Sequence, residues 1–343
     1  MIKKLLFTAA LLMPGIAYAG APSATLPGQI VPGSGIPNPV LMGWLSGKTL
    51  AQLKSEQPAY NMAALINLQT GSAAGSGAIS LNLNNTYGGS SAALVSDIQA
   101  WHTGTDKRGQ ARKVLLTVTD DFGNGSFSPQ YCASANATQF VNSLTSIVST
   151  YGFDGIEFDL ESGGGSGANG GPCGQGSGST VTWEPTIINS IFSTLKTNLG
   201  ANFLITQTPR PFEMGPSDKK RGYMATYDMT EPQNYYHVND PVYNCTSILQ
   251  DERGDAGAPQ PGVKQFSTGS DGGTVVPNGK MIFGNNPDGL GDTPCTAAQF
   301  LSARNGVNTS FPGFLRGEDL WTVIVDSGTA YSYSSTFAAQ FGL

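Results

Sequence analysis

Charge is scarce in this sequence: Asp, Glu, Lys and Arg make up 12% of its 343 residues, about half the usual share. Basic residues are outnumbered 18 to 24, for a formal net charge of -6. That balance argues against a polyanionic partner, so nucleic acid is not expected. Histidine is scarcer still, with His102 and His237 alone. The four cysteines show no Cys-x-x-Cys spacing, which disfavours a zinc site. Long apolar runs are absent after the first twenty residues, so no later segment is expected to span a bilayer, which takes about 20 apolar residues.

The first twenty residues are different. Met1-Ile-Lys-Lys is followed by an apolar run from Leu5 to Ile16 and by Ala17-Tyr-Ala19 before Gly20, the charged, greasy and small-residue order of a bacterial secretory signal. Pro14 and Gly15 break the run, and it is too short to be a membrane helix. Residues 1–19 are therefore expected to be removed on export, into the periplasm or out of the cell. Loss of Lys3 and Lys4 leaves 16 basic residues against 24 acidic, a formal charge of -8. The mature chain is expected to be soluble and monomeric. In an exported chain an even set of widely spaced cysteines, Cys132, Cys173, Cys245 and Cys295, favours disulfides over metal binding. The 45 glycines and many Ser, Thr and Asn residues indicate long neutral loops, a surface suited to a neutral polymer.

Residues 20–39 are rich in Pro and Gly without hydrophobic period and read as a leader. One domain is expected over residues 40–343. Short apolar runs there alternate with amphipathic stretches, an order that favours a parallel sheet covered by helices. Strands are expected at Val40–Leu45, Asn61–Leu68, Lys113–Thr119, Gly155–Leu160, Asn202–Thr208, Met229–Asn234, Lys280–Gly284 and Leu320–Val325. Helical spacing marks Ser90–Thr103, Ala137–Tyr151, Glu184–Leu199 and Thr296–Asn305. Eight strands in about 300 residues fit an α/β (β/α)₈ barrel. A doubly wound open sheet is the rival, since both folds bury near-continuous apolar strands. The Gly/Ser tract from Gly163 to Ser179 follows a strand directly, where a barrel keeps its functional loops.

The segment Tyr151-Gly-Phe-Asp154-Gly-Ile-Glu157-Phe-Asp159-Leu-Glu161 carries the chemistry. Strand alternation sends Glu157, Asp159 and Glu161 one way and Ile156, Phe158 and Leu160 the other. In a barrel the apolar set packs under the helices, the acids face the interior, and Glu161 comes last, at the strand's C-terminal end where barrel active sites sit. Successive acids lie about 7 Å apart, twice the rise per residue. Carboxylates so close in a poorly solvated place share protons, so at least one is held as the acid near neutral pH. General acid catalysis needs that state. The alternative is an antiparallel strand with an acidic outer face, against which stands the βα order around it.

Asp154-x-x-Glu157-x-Asp159-x-Glu161 resembles the Asp-Gly-x-Asp-x-Asp-x-Glu signature of glycoside hydrolase family 18, the chitinases and related endo-N-acetylglucosaminidases. Lys113-Val-Leu-Leu-Thr, Thr208-Pro209, Gln233-x-Tyr235 and Leu320-Trp321-Thr fall in that family's order. The resemblance implies hydrolysis of N-acetylglucosamine polymers such as chitin without a cofactor. Glu161 would protonate the glycosidic oxygen while the substrate's own 2-acetamido carbonyl attacks the anomeric carbon, the substrate-assisted exception to two-carboxylate hydrolysis. By the same likeness Asp159 would orient the acetamido group and stabilise the oxazolinium, Tyr235 would bond the acetamido oxygen, Gln233 would line the pocket, and Trp321 would floor the subsite. For Tyr235 and Trp321 the alternative is ordinary packing. Asp154, at the strand's start, is expected to support the turn.

Three departures from the signature stand out. Glu157 replaces the middle Asp, Thr117-Val-Thr-Asp120-Asp121 replaces a Ser-x-Gly-Gly on strand three, and Arg210 follows Pro209. There is no room between strands seven and eight for an added α+β domain, which implies an open cleft and internal cuts. The same frame pairs Cys132 with Cys173 and Cys245 with Cys295, one of three possible connectivities. Two other functions fit the resemblance: a silent glycan-binding lectin, and an endo-β-N-acetylglucosaminidase acting on N-glycans. Retention of Glu161 speaks against the lectin.

Overall fold

The computed structural model describes residues 35–66, 69–71, 78–119, 134–159, 185–209, 227–230, 245, 249, 253, 262–270, 275–285 and 295–343. The proposed signal and most of the leader lie outside them. Among the described residues ten strands run in chain order: β1 (Val40–Leu45), β2 (Met62–Leu65), β3 (Gln69–Gly71), β4 (Ile79–Leu81), β5 (Lys113–Thr119), β6 (Gly155–Asp159), β7 (Leu204–Gln207), β8 (Met229–Thr230), β9 (Met281–Asn285) and β10 (Leu315–Leu320). Eight of them close a parallel barrel in the order β1-β10-β9-β8-β7-β6-β5-β2, while β3 and β4 form a separate two-stranded sheet. The open-sheet rival is thereby excluded.

Strand alternation divides the apolar residues into two sets. Val40, Met42, Trp44, Met62, Ala64, Ile66, Leu115, Leu204, Met229 and Ile282 pack together inside the barrel. Their chain neighbours Leu41, Ala63, Val114, Leu116, Ile156, Phe158 and Ile205 face outward and pack on Leu94, Ile98, Phe140, Leu144, Phe192 and Leu195 of the surrounding helices. Gly155 shows how tight the interior is. It lies level with Leu115 and Leu204, and a Cβ there would sit 2.5 Å from the Leu204 carbonyl oxygen, so glycine lets the strands approach.

The expected helices are found at Ser91–His102, Ser134–Tyr151, Pro185–Leu199 and Ala297–Ser310. Thr296 caps the last of these in a box with Gln299, each side chain accepting the other residue's backbone N–H, which satisfies two donors the helix itself leaves open. Thr49 and Gln52 do the same for a helix at Leu50–Glu56 that the sequence reading passed over. Short helices at Val323–Gly328 and Ser332–Phe341 were also missed.

The eighth barrel strand is a correction. It was expected at Leu320–Val325, but β10 is Leu315–Leu320 and the chain turns helical from Val323. The cause is chemical: Glu318 and Asp319 interrupt the apolar run that marks a strand, yet both are buried. Glu318 points to the helix layer, where it pairs with Arg304, while Asp319 accepts a 2.6 Å hydrogen bond from the Trp44 indole N–H. The strand expected at Asn61–Leu68 ends at Leu65, with Ile66 already outside it; the other strands agree within one or two residues at their described ends. Residues 67–68, Leu160 and residues 231–234, which belong to three of the expected strands, lie outside the described residues.

Candidate active site

The acidic strand lies as its alternation requires. Glu157 is level with Thr117 of β5 and Thr206 of β7, and Asp159 is level with Thr119. Ile156 and Phe158 join the outer core, so Glu157 and Asp159, both buried, face the interior, with Asp159 nearer the C-terminal mouth. Leu160, Glu161, Gln233 and Tyr235 lie outside the described residues, as do Cys132, Cys173, Asp120, Asp121 and Arg210.

Glu157 is fully buried and bound by two hydroxyls. Thr208 donates to its Oε1 at 2.5 Å and Thr206 hydrogen-bonds its Oε2. Burial pushes its pKa up to about 8, helped by the charge of Asp319 and opposed by the two threonines. An acid whose folded pKa is raised binds its proton more tightly folded than unfolded. Its contribution to stability is therefore complete below the ordinary value of 4.5 and is lost as pH climbs to about 8, at about 1.4 kcal/mol per pH unit for one proton. The thermal midpoint is expected to fall over that window, and by less in Glu157→Gln, as calorimetry at several pH values would read; equal slopes would refute this.

Asp154 stands at the other end of the strand. Its carboxylate accepts from His102 Nε2 at 2.7 Å, from Lys113 Nζ at 3.2 Å and from the Val114 N–H at 2.8 Å. It thus ties β5, β6 and the helix ending at His102 together at the barrel's N-terminal end, remote from the mouth.

Trp321 follows β10 directly. Its N–H donates to the Asn285 carbonyl at 2.9 Å, and its half-buried ring meets Trp44 edge-on, with centroids 5.1 Å apart. Trp44, Asp319 and Thr206 are candidate site residues that the sequence alone did not single out, and Thr208 was named only within the Thr208-Pro209 segment. Alternation along Val40–Leu45 placed Trp44 beside Val40 and Met42 and was the available signal for it; Asp319 stands two residues before Trp321, in the same face period.

Cys245 and Cys295 are disulfide-bonded, as expected. Among the described residues no group of three His, Cys, Asp or Glu side chains is placed to hold a metal ion, and no helix is long and apolar enough to cross a membrane.

A closed eight-stranded α/β barrel with acids on its inner face is an enzyme-bearing architecture, with sites at the C-terminal mouth. No family model matches the chain. A chitinase of Paenibacillus xylanexedens is 30% identical over 190 residues, covering 52% of this chain and 32% of that protein. Chitinase D of Niallia circulans is 35% identical over 105 residues, 29% of this chain and 18% of that protein. The chain thus matches about a third or less of the length of these curated relatives. Among solved structures, a family 18 chitinase from Chromobacterium violaceum aligns with a TM-score of 0.61 at 21% identity, covering 90% of this chain and 85% of that one. A fungal endo-β-N-acetylglucosaminidase of the same family aligns with a TM-score of 0.57 at 14% identity, covering 88% and 99%. In fold, the chain is like the family 18 chitinases.

Proposed function

We propose that this chain is an exported glycoside hydrolase that cleaves β-1,4-linked N-acetylglucosamine polymers, chitin or its oligomers, at internal linkages. The observation that carries the reading is the inward placement of Glu157 and Asp159 on β6, with Glu161 next in the same sequence period. The half-chain match to a chitinase supports the substrate class.

The proposed mechanism is retaining and substrate-assisted. Glu161 gives its proton to the glycosidic oxygen as the bond to the leaving sugar breaks. The 2-acetamido carbonyl oxygen closes on the anomeric carbon, forming an oxazolinium whose positive charge Asp159 stabilises. Water then opens that ring, returning a proton to Glu161. Tyr235 and Gln233 hold the acetamido group, and Glu157 supports the pocket from below. Trp321 supplies a flat apolar surface, which suits the apolar face of a pyranose. Its contact with Trp44 supports that role.

The test is to offer the purified chain fluorogenic N-acetylglucosamine oligomers, chitin and an N-glycosylated protein in parallel, following the product anomer by NMR. Oligomer and chitin cleavage with retention is the expected result. Chitin binding without cleavage would replace this reading with a lectin. Glycan release from the glycoprotein, with oligomers left intact, would replace it with an endoglycosidase.

A further inference from the structure

Asp319 is an interior carboxylate that the mechanism above leaves unused. In the ring of eight strands β10 and β6 lie four strands apart, so Asp319 and Glu157 face one another across the barrel, close enough for the charge of Asp319 to act on Glu157. With Asp159 they place three acids on the inner surface. Among the described residues, alternation puts the cation Lys113 on this face, and it is hydrogen-bonded to Asp154 at the N-terminal end. From β1 the group facing Asp319 is the neutral Trp44, from β7 the neutral Thr206 and Thr208 face Glu157, and Glu318, next along the chain, is turned to Arg304.

The hydrogen bonds say where a shared proton sits. Asp319 accepts the Trp44 N–H at 2.6 Å, and an indole N–H can only donate, so this contact favours ionised Asp319. The Thr206 hydroxyl touches both Glu157 Oε2 and, at 3.3 Å, the Ile156 carbonyl oxygen. It has one proton to give. If that proton goes to the carbonyl, which can only accept, a proton on Glu157 completes the second bond.

We infer that Glu157 and Asp319 form a carboxylate pair holding one proton, on Glu157, and that Asp319 is thereby a positioning residue that keeps Asp159 the charged group nearest the sugar. The last step rests on the proposed hydrolase reading. Loss of the proton puts three negative charges in one interior, and their repulsion disturbs the hydrogen bonds that hold β6's acids in place. The pair thus sets the alkaline limit of the site. It also joins the acids to the aromatic floor, because Trp44, which binds Asp319, packs on Trp321.

Infrared titration of the unliganded protein tests the pair without substrate. In the difference between the unmodified chain and Glu157→Gln, a carboxylic-acid C=O band is expected at pH 7 that disappears as pH passes about 8; the other protonated acids, Glu318 and the proposed donor Glu161, cancel. Asp319→Asn keeps the shape and an acceptor for Trp44 but removes the like charge, so the band should titrate lower by about one pH unit, as a close like charge implies. No band in that difference at pH 7, or an unmoved midpoint of that band in Asp319→Asn, would each overturn the pair. The unmodified chain and Glu157→Gln decide the matter even if Asp319→Asn does not fold. In oligomer hydrolysis the alkaline limb of kcat/KM should move down with the band in Asp319→Asn; a limb that stays put would overturn the positioning role while leaving the hydrolase reading intact.

Discussion

Glu161→Gln is expected to lower hydrolysis of N-acetylglucosamine oligomers by two or more orders of magnitude. Gln matches Glu in size but has no proton to deliver, and general acid catalysis contributes roughly 10²- to 10⁴-fold. A substrate-assisted reaction draws its nucleophile from the sugar, so protonation of the departing oxygen is the step left to the protein. The loss should therefore depend on the leaving group. A sugar alkoxide is a poor one and needs the proton, whereas a fluorogenic phenol departs with less help. Steady-state rates on an unmodified oligomer and on its aryl glycoside should show the larger drop for the oligomer. Equal turnover of variant and parent on the oligomer would remove Glu161 from the chemistry.

Arg304→Leu should destabilise the barrel by about 3–5 kcal/mol, the cost of breaking a buried ion pair from one side. Glu318 is only 1% exposed, and its partners are the Arg304 guanidinium and the Asn285 amide, which donates at 2.8 Å. Burial pushes the Glu318 pKa up, while Arg304 and Asn285 pull it down. Without the guanidinium, the neutral Asn285 amide is left to offset burial among the described residues, so the carboxyl must be buried as the acid or leave its place. The Arg304 guanidinium also lies 4.4 Å from the ring centroid of Phe341, so the substitution loosens the C-terminal helix too. A fall in thermal midpoint of roughly 10 °C is expected. Arg304→Leu combined with Glu318→Gln should recover part of it, which a double-mutant cycle reads directly. A midpoint unchanged in Arg304→Leu would show that the pair contributes nothing.

These two residues also mark where sequence reasoning stopped. The acids of β6 were legible because their alternation has period two and lies inside an apolar strand, so the inward face of Glu157 and Asp159 followed from local geometry. Asp154 was correctly separated from them by its place before the strand. On β10 the same logic failed. Leu-Arg-Gly-Glu-Asp-Leu has too little apolar character to read as a buried strand, whereas the next apolar run has the strand pattern but is helical from Val323.

Local pattern, then, was enough for seven of the eight barrel strands and for the inner face of the acidic strand, because strand alternation acts over a few residues; the Cys245–Cys295 bridge followed from the order of elements in the resemblance. Only the closed barrel decided that Asp319 stands across from Glu157, that Trp44 binds the first, and that Arg304 makes a charged strand tolerable. Those relations join residues as much as 275 positions apart. The environment that raises one acid's pKa and holds another as an anion arises when distant strands exclude water together.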